Sequence, residues 1–349
     1  MNIAIDCRLI GRSGIGTFIE NVLEYIVQNE EHHFVLIGND AFLKKYEDRK
    51  NCSIVNSLIK SFTPQEMLQF SVEVVNKCDA FFTPNFNLPL RINVPIYSMI
   101  HDIVFFDTPN FGSFLHRLIL KFYIKRALKI SKHVFTVSEF SRKRIQARFN
   151  TSTPIDVIYN GVNKSLIEYA NTHTEAKEHS GIIYIGNIKP YKGLRTLWQA
   201  YKMLLNDGDA PKLTIVGNID FRTKDDEMLK ELNANRHLIN FVSGVSNEEL
   251  YKMLSEAEVL VSPSQYEGFG LPPLEAMYLG TPAIISDIPV YKEVYHNLPV
   301  SYFNVDDSND LYKQLKSFKQ HRVDVRENII EMYDYKRTAS KILQVITQD

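Results

Sequence analysis

Two α/β domains with parallel sheets are predicted by three features of this sequence. The chain has 349 residues, which is more than one hydrophobic core usually serves. Short runs rich in Val, Ile and Phe alternate with longer segments of helical periodicity, an order typical of parallel strands joined by helices. The runs form two series around a polar segment, so we predict a first domain at 1–165, a linker at 166–180 and a second domain at 181–328.

The predicted elements alternate in the same way in both series. The first series of strands reads NIAID, FVLIG, DAFF, VPIYSMI and HVFTV, with helices at Thr17–Asn29, Pro64–Asn76 and Phe114–Ser131. The second reads GIIYIG, KLTIVG, LINFV, EVLVSP and PAIIS, with its clearest helices at Leu194–Leu205 and Ser246–Ala257. Ligands of parallel sheets bind beyond the carboxyl ends of the strands, so we expect a site in a cleft between the domains, lined by polar residues that follow strands.

The composition excludes several function classes. The net charge of −1 gives no general attraction to nucleic acid, and no apolar run reaches the length of a membrane span. The start, MNIAIDCRLIG, reads as a strand and lacks the basic and long apolar regions of a signal peptide. Cys7, Cys52 and Cys78 have no metal-like spacing, which indicates buried thiols in a reducing cytoplasm.

Positive charge is concentrated in residues 114–150, which contain ten Lys or Arg and one acid, Glu139. This segment therefore carries +9 and the remainder of the chain −10. Arg117, Lys121, Lys125 and Lys129 recur every fourth residue, so they share one side of the predicted helix. We expect Leu118, Phe122 and Leu128 on the other side, packed on the domain or touching lipid. Either this basic face binds an anionic membrane surface, or it is an ordinary solvated helix face.

Three polar clusters follow predicted strands. Gly14 and Gly16 lie in a glycine turn between the first strand and its helix, where backbone N–H groups can approach an anion or simply form a tight turn. His101 follows VPIYSMI, where it can contact a sugar hydroxyl or stabilise charge, with Asp102 placed to orient it, or pack at the strand end. Lys192 opens a helix after GIIYIG, where a cation suits a diphosphate unless it faces solvent.

The most informative stretch, SPSQYEGFGLPPLEAMYLGTPAIISD at 262–287, places Glu267 and Glu275 around a glycine turn and a helix start. The N–H groups of such a turn favour phosphate, whereas carboxylates favour hydroxyl donors. A nucleotide sugar combines these chemistries. We therefore expect Glu267 at the sugar, the turn amides at the phosphates and Glu275 at the ribose.

The chain resembles the family 4 glycosyltransferases, which have the GT-B fold, through motifs that span most of its length. They are GIGTFIENVL, HDIVFFDTPNF, FTVSEFSRKRI, VIYNGV, YIGNIKPYKGL, FVSGVSNEELYKML and YEGFGLPPLEAMYLGTPAIIS. The tail YDYKRTASKIL is similar to the family's last helix, so the resemblance implies that 329–349 crosses back onto the first domain. The resemblance is closest to the mannosyltransferase-like branch that builds O-antigen and other bacterial surface polysaccharides.

The resemblance implies a donor site and its residues. Those expected around the nucleotide sugar are Gly14, Gly16, Asn187, Lys192, Gly244, Val245, Glu267, Gly268, Phe269, Gly270, Leu271 and Glu275. His101, Lys192 and Glu267 would lie at the reacting centre, and Gly244 and Val245 would contact the base. Many members carry an Arg where this chain has Asn187 or Tyr191, so neutralisation of the diphosphate falls to Lys192, helped by Lys189.

The expected activity is transfer of a hexose with retention, with GDP-mannose as the first-choice donor and a glycan or lipid-linked acceptor. The resemblance implies no metal ion or other cofactor, and a location in the cytoplasm or at the inner face of its membrane. Two alternatives remain at this point. One is a nucleotide-sugar-binding partner subunit without turnover, and the other is a nucleotide-sugar epimerase.

Overall fold

The computed structural model describes residues 1–11, 13–108, 113–173, 179–208, 210–217 and 225–348. The chain forms two compact units. The first unit comprises Met1–Asp107, Gly112–Gly161 and Tyr333–Asp349. The second comprises Thr108–Phe111 and Val162–Met332.

The first unit is a seven-stranded parallel sheet with helices between its strands. Its strands are β1 Asn2–Asp6, β2 His33–Gly38, β3 Cys52–Asn56, β4 Ala80–Thr83, β5 Ile96–Met99, β6 His133–Thr136 and β7 Ile155–Val157. Its helices are α1 Ser13–Ile26, α2 Asp40–Leu43, α3 Pro64–Gln69, α4 Val72–Val75, α5 Val104–Asp107, α6 Phe114–Ile130, α7 Glu139–Phe149 and, at the other end of the chain, α16 Tyr335–Gln348. The strand order is β3-β2-β1-β4-β5-β6-β7. Strands are therefore added on one side of β1 up to β3 and on its other side from β4 onward, so the strand order reverses between β1 and β4.

The second unit is a six-stranded parallel sheet of the same design. Its strands are β8 Ile182–Ile185, β9 Leu213–Val216, β10 Ile239–Val242, β11 Val259–Ser262, β12 Ala283–Ser286 and β13 Ser301–Phe303. Its helices are α8 Lys164–Thr172, α9 Leu194–Asp207, α10 Asp226–Ala234, α11 Asn247–Glu256, α12 Leu271–Tyr278, α13 Pro289–Val294, α14 Ser308–Ser317 and α15 Arg326–Met332. The order β10-β9-β8-β11-β12-β13 reverses between β8 and β11. Such reversals leave a crevice at the carboxyl edge of a sheet, where ligands bind.

Each sheet buries apolar side chains on both faces, as parallel sheets do. The core of the first unit includes Ala4, Phe81 and Val134, and the core of the second includes Ile215, Val261 and Trp198. The prediction of two parallel-sheet α/β domains is confirmed. Cys7 and Cys78 are buried thiols as expected, whereas Cys52 is partly exposed.

The last helix, α16, belongs to the first unit, as the fold class predicted. Its Thr338 hydroxyl donates to the Tyr159 carbonyl at 2.6 Å, and Ile346 accepts from the Tyr97 hydroxyl at 3.4 Å. Gly161 lies so close to this helix that a Cβ there would be 2.4 Å from the Tyr335 nitrogen. Glycine is therefore required where the chain passes the helix.

Some predicted bounds were wrong for physical reasons. Helix α1 begins at Ser13 rather than Thr17, so Gly14 and Gly16 lie inside its first turns. The helix predicted at Pro64–Asn76 is two short helices, because Phe70 has an extended ψ of 153°. The predicted linker contains most of α8, whose Leu166, Tyr169 and Ala170 are buried, and 174–178 lie outside the described residues. The capping box of Ser246 and Glu249 is confirmed.

Candidate donor site at the carboxyl edge of the second sheet

The reversal point of the second sheet brings together a cation and a carboxylate. Lys192 follows β8 and Glu267 follows β11, and these two strands are neighbours in the sheet. The Lys192 ammonium donates to both oxygens of Glu267, at 2.7 and 2.8 Å. The Ser264 hydroxyl donates to the same carboxylate at 2.8 Å. The two charged side chains keep 23% and 13% of their surface exposed, so solvent or a ligand reaches the pair.

Gly193 makes this pairing possible. It has φ +68°, which favours glycine, and a Cβ there would be 1.8 Å from the Pro263 carbonyl oxygen. The turn after β8 can therefore lie directly on the segment after β11. A hydrogen bond of 2.8 Å from the Gln265 N–H to the Tyr191 carbonyl joins the same two segments. Lys192 is thus held beside Glu267 by the backbone as well as by charge.

The glycine turn predicted to receive phosphate leads into α12. Gly270 has φ +89°, and a Cβ there would be 2.3 Å from the Tyr291 ring, so this position requires glycine. Gly268 and Phe269 are buried and Leu271 is partly exposed. Two prolines at the start of α12 determine which amides this turn can offer. Pro272 and Pro273 occupy its first turn and have no N–H, which leaves the amides of Gly268 to Leu271 to provide this chemistry.

Glu275 lies on α12 and is 8% exposed. Burial raises the pKa of its carboxyl to about 7. Its Oε1 accepts a hydrogen bond of 3.1 Å from the side-chain amide of Asn163. Asn163 is the residue before α8, where an Asn side chain usually caps the helix, yet it makes no such cap. The side chain is committed to Glu275 instead, and sequence reasoning missed this because the two residues are 112 positions apart.

The remaining donor residues predicted in the second unit lie at the same edge of the sheet. Asn187 follows β8 and is exposed. Gly244 follows β10 with φ +68°, is exposed, and has no atom within 4 Å of a built Cβ. Val245 is partly exposed and precedes the cap of α11. Backbone groups of Gly244 and Val245 are therefore accessible to a ligand. Gly244 has no side chain and that of Val245 is apolar, so any polar contact with a ligand would come from the backbone.

In the first unit, His101 lies just beyond β5, as predicted. Its Nε2 is 3.2 Å from the Pro84 carbonyl oxygen, so Nε2 carries the proton and donates it there. Its ring packs edge-on against Phe18, with centroids 5.4 Å apart. Burial lowers the pKa of His101 to about 4, so the ring is neutral at pH 7. A neutral imidazole that donates from Nε2 keeps Nδ1 as an acceptor, so His101 can accept from a sugar hydroxyl but does not carry a positive charge at pH 7.

The structure gives Asp102 and the glycines of α1 definite local roles. The Asp102 carboxylate accepts from the Val104 N–H at 3.0 Å and so caps α5. Gly16 is required for packing, because a Cβ there would be 2.1 Å from the Leu9 carbonyl oxygen. Gly14 has open space around a built Cβ, so a ligand or solvent can reach it. Within the described ranges, no group of three or more His, Cys, Asp or Glu could hold a metal ion.

Comparison with known proteins agrees with this arrangement. A family model described as glycosyl transferases group 1 matches residues 167–332, and one described as glycosyltransferase family 4 matches 13–166. The O-antigen chain mannosyltransferase RfbU of Salmonella typhimurium is 33% identical over 257 residues, covering 72% of this chain and 69% of that protein. The chain belongs to the family 4 glycosyltransferases. The resemblance seen in its sequence motifs is therefore confirmed.

This glycosyltransferase has further similar proteins. The O-antigen chain mannosyltransferase B of Escherichia coli is 29% identical over 239 residues, covering 65% of this chain and 61% of that protein. The structure of HepE from Anabaena in complex with UDP and glucose has a TM-score of 0.70 at 16% identity and covers all of both chains. At this identity the likeness shows the fold alone, and the fold is GT-B.

Proposed function

We propose that this glycosyltransferase transfers mannose from GDP-mannose, with retention of configuration, to a glycan or lipid-linked acceptor in the synthesis of a surface polysaccharide. Two similar proteins are named O-antigen chain mannosyltransferases, and they support this choice of sugar and process. The choice of GDP as the nucleotide of the donor rests on the family resemblance alone, and the stereochemistry rests on the argument given below.

The observation that carries the proposal is the accessible Lys192–Glu267 pair at the reversal point of the second sheet. A bound diphosphate places negative charge near the ammonium, which has three N–H donors to share between the carboxylate and the phosphates. As the sugar–phosphate bond breaks, negative charge grows on the leaving diphosphate. Lys192, positioned in advance by Glu267, then stabilises the transition state more than the ground state.

Glu267 can serve the sugar as well as Lys192. Its two oxygens already accept from Lys192 and Ser264, and a carboxylate has about four acceptor positions. A hydroxyl of the transferred hexose can therefore occupy a remaining position without removing Lys192. In this arrangement one residue fixes the sugar and the cation that acts on its leaving group.

Glu275 would bind the ribose of the donor. Its carboxylate is buried and has one hydrogen bond, from Asn163, that fixes the orientation of Oε1. Vicinal ribose hydroxyls supply two further donors, which suit a carboxylate. Gly244 and Val245 would contact the base through their backbone, since neither has a polar side chain.

The proposal of retention is supported by the chemistry that the site offers. We assign no covalent nucleophile to this site. Its carboxylate, Glu267, is already engaged by the Lys192 ammonium and the Ser264 hydroxyl. The acceptor hydroxyl would attack from the face that the diphosphate leaves. The departing phosphate oxygen can then take the proton of that hydroxyl, so the product keeps the configuration of the donor.

We further propose that α6 brings the enzyme to an anionic membrane surface. The buried side of this helix consists of Ile124, Ala127 and Leu128. Its opposite side exposes the apolar residues Phe114, Leu115, Leu118 and Phe122, by 46% to 78%. Lys121, Lys125 and Lys129 are exposed on that same side. A face of exposed apolar rings and cations is the composition of helices that bind in the plane of an anionic interface.

This face differs in three ways from the one expected. Leu118 and Phe122 were predicted on the side opposite the cations, but they lie on the exposed side with the lysines. Leu128 packs in the core rather than with them. Arg117 is partly buried and donates to the Phe106 carbonyl at 3.4 Å, so it contributes less to the cationic side. None of the helices within the described ranges is long and apolar enough to cross a membrane.

The experiment that tests the proposed function has two stages. A thermal-shift panel of GDP, UDP, dTDP and ADP identifies the base, and we expect the largest stabilisation with GDP. GDP-mannose is then incubated with membrane lipid extract or mannosides, and the anomeric configuration of any product is read by NMR. An α-linked product from the α-configured donor supports the proposal. A β-linked product would contradict retention, an epimerised sugar nucleotide would indicate an epimerase, and nucleotide binding without any turnover would indicate a partner subunit.

A further inference from the structure

The carboxyl edge of the first sheet carries a row of phenylalanine rings that the proposed reaction has not used. The ring centroids of Phe62 and Phe86 are 5.9 Å apart, and those of Phe86 and Phe105 are 6.2 Å apart. Phe62 follows β3, Phe86 follows β4 and Phe105 follows β5. Phe62 is 47% exposed, Phe105 is partly exposed, and Phe86 forms a nearly buried floor between them. We propose that this aromatic row binds the terminal sugar ring of the acceptor, an inference that rests on the proposed function.

The chain makes a specific detour to bring Phe62 to this place. Strand β3 lies at the outer edge of the sheet, three positions away from β4. The segment after β3 must therefore return across the ends of β2 and β1 before it reaches Phe86. The row consequently lies over the reversal point of the first sheet, where a ligand of this topology is expected.

A buried ionic cluster holds Phe62 in an unfavourable backbone conformation. Phe62 has φ +61°, a region that residues with a side chain rarely adopt. Its N–H donates at 2.8 Å to Oε2 of Glu66, a residue with no exposed surface. Glu66 in turn accepts from the Arg8 guanidinium and from the Asn87 amide, each at 2.5 Å. The buried cluster thus holds the backbone of a half-exposed aromatic residue in a strained conformation. Packing of the hydrophobic core does not explain this arrangement, because the Phe62 ring is largely outside the core.

Two rings of the row are near His101 along the chain or near its hydrogen-bond partner Pro84, and the family resemblance places His101 at the transferred sugar. His101 donates to the Pro84 carbonyl, and Phe86 is two residues further along the same segment. Phe105 is four residues after His101, in α5. A molecule seated on the rings would therefore be close to His101.

The chemistry of the row selects a sugar ring over a hydrocarbon chain. The group that reacts is an acceptor hydroxyl, and a prenyl chain has none to offer. One face of a pyranose ring carries mainly C–H groups, and burying it against aromatic rings removes apolar surface from water. All three rings are Phe without a polar tip, so they recognise that face rather than individual hydroxyls. The hydroxyl to be glycosylated stays on the rim, where it is available for attack.

The test measures sugar binding without turnover, so it can be separated from the proposed function. The α-methyl glycosides of mannose, glucose, galactose and N-acetylglucosamine are titrated against the protein by saturation-transfer NMR with irradiation of aromatic protons. For at least one of them we expect saturation of ring C–H protons in wild type. For the glycoside that binds wild type, the Kd should rise about five- to tenfold in Phe62→Leu. In Phe62→Tyr, which keeps the ring, the Kd should stay within about twofold of wild type.

Two controls locate the effect. Leu68→Ala removes an apolar side chain that is 72% exposed on the following helix but outside the row, and it should leave sugar binding unchanged. The thermal shift by the nucleotide identified above should be equal in all variants, because the second unit is untouched. Wild type that binds none of the four glycosides, or Phe62→Leu that binds as wild type does, would overturn the proposal. n-Octyl phosphate is titrated in parallel as a probe with a hydrocarbon chain. Binding of n-octyl phosphate but of none of the four glycosides would indicate a lipid-chain site instead. Sugar binding with no glycosyl transfer would contradict only the proposed function.

Discussion

Arg8 at the carboxyl edge of the first sheet pairs with Asp6 and Glu66, and the three side chains are at most 2% exposed. Lys192 at the same edge of the second sheet pairs with Glu267, and these side chains are 23% and 13% exposed. Both sets lie at a point where the strand order reverses. The two sheets thus place opposite charges at equivalent positions but differ in whether a ligand can reach them.

The difference in burial separates a structural cluster from a candidate reactive one. A fully buried Arg that forks onto two carboxylates has little freedom to change partners, because an unpaired charge there would be strongly destabilising. A partly exposed lysine is a point charge on a flexible stem, so it can share its partner with an arriving phosphate. We therefore assign positioning to the Arg8 cluster and leaving-group stabilisation to Lys192.

The largest expected effect concerns the stability of the first unit. Arg8→Met leaves Asp6 and Glu66 buried without their cation, which should lower the free energy of unfolding by about 3–5 kcal/mol. Urea denaturation followed by circular dichroism measures this. Lys45→Met removes the exposed partner of Glu24 in the same unit and should change stability by less than about 1 kcal/mol. Equal effects of the two variants would contradict the structural role of the buried cluster.

The next effect concerns the membrane face of α6. Each lysine near an anionic surface contributes about 1 kcal/mol, so changing Lys121, Lys125 and Lys129 to Gln should reduce binding to vesicles that contain anionic lipid about a hundredfold at low salt. Vesicle sedimentation measures the bound fraction, and wild-type binding should weaken as salt rises.

The matched control changes Lys44, Lys50 and Lys77, which are exposed lysines of the same unit outside residues 114–150. These substitutions remove the same charge and should affect binding much less. If wild type does not bind anionic vesicles even at low salt, α6 is an ordinary solvated helix. Equal losses in both triple variants would mean that net charge rather than this face attracts the membrane.

Donor binding should depend on Glu275 and on pH. Burial raises the pKa of Glu275 to about 7, so its carboxylate form becomes populated as pH rises from 6 to 8. The carboxylate accepts ribose hydroxyls better than the acid does, and the donor KM should fall over this range. Glu275→Gln should raise the donor KM about tenfold at pH 8, for a loss of roughly 1–2 kcal/mol, and should remove the pH dependence. An unchanged pH profile in the variant would exclude Glu275 from the donor site.

The smallest expected effect belongs to Asn163, which acts through Glu275. Asn163→Ala removes one neutral hydrogen bond and should raise the donor KM about three- to tenfold with little change in kcat. Asn163→Asp puts a second carboxyl beside Glu275 and should move the midpoint of the pH profile upward. If the pH profile of Asn163→Asp has the same midpoint as that of wild type, Asn163 has no positioning role for Glu275.

Local patterns predicted most of the strands and the candidate residues that follow them, because short apolar runs and glycine turns are local signals. Pairings between distant residues were not predictable in this way. Lys192 and Glu267 are 75 positions apart, and Arg8 and Glu66 are 58 apart. One local signal was available for the former, since Gly193 directly after Lys192 suggests a close backbone approach. The edge strands β3, β7 and β13 escaped prediction, because β7 and β13 have three residues each and β3 reads CSIVN, in which Ser53 and Asn56 limit the apolar run.

The central claim is that the accessible Lys192–Glu267 pair stabilises the leaving diphosphate, and steady-state kinetics of Lys192→Ala test it most directly. With donor and acceptor saturating, kcat should fall about 10²–10³-fold, whereas the donor KM should change less than about tenfold. Lys202→Ala is the matched control, because Lys202 pairs with Glu231 at the same 2.7 Å on the second unit but is assigned no part in the reaction. Its kcat should equal that of wild type. A kcat for Lys192→Ala within about threefold of wild type would contradict the claim and place the stabilising charge elsewhere.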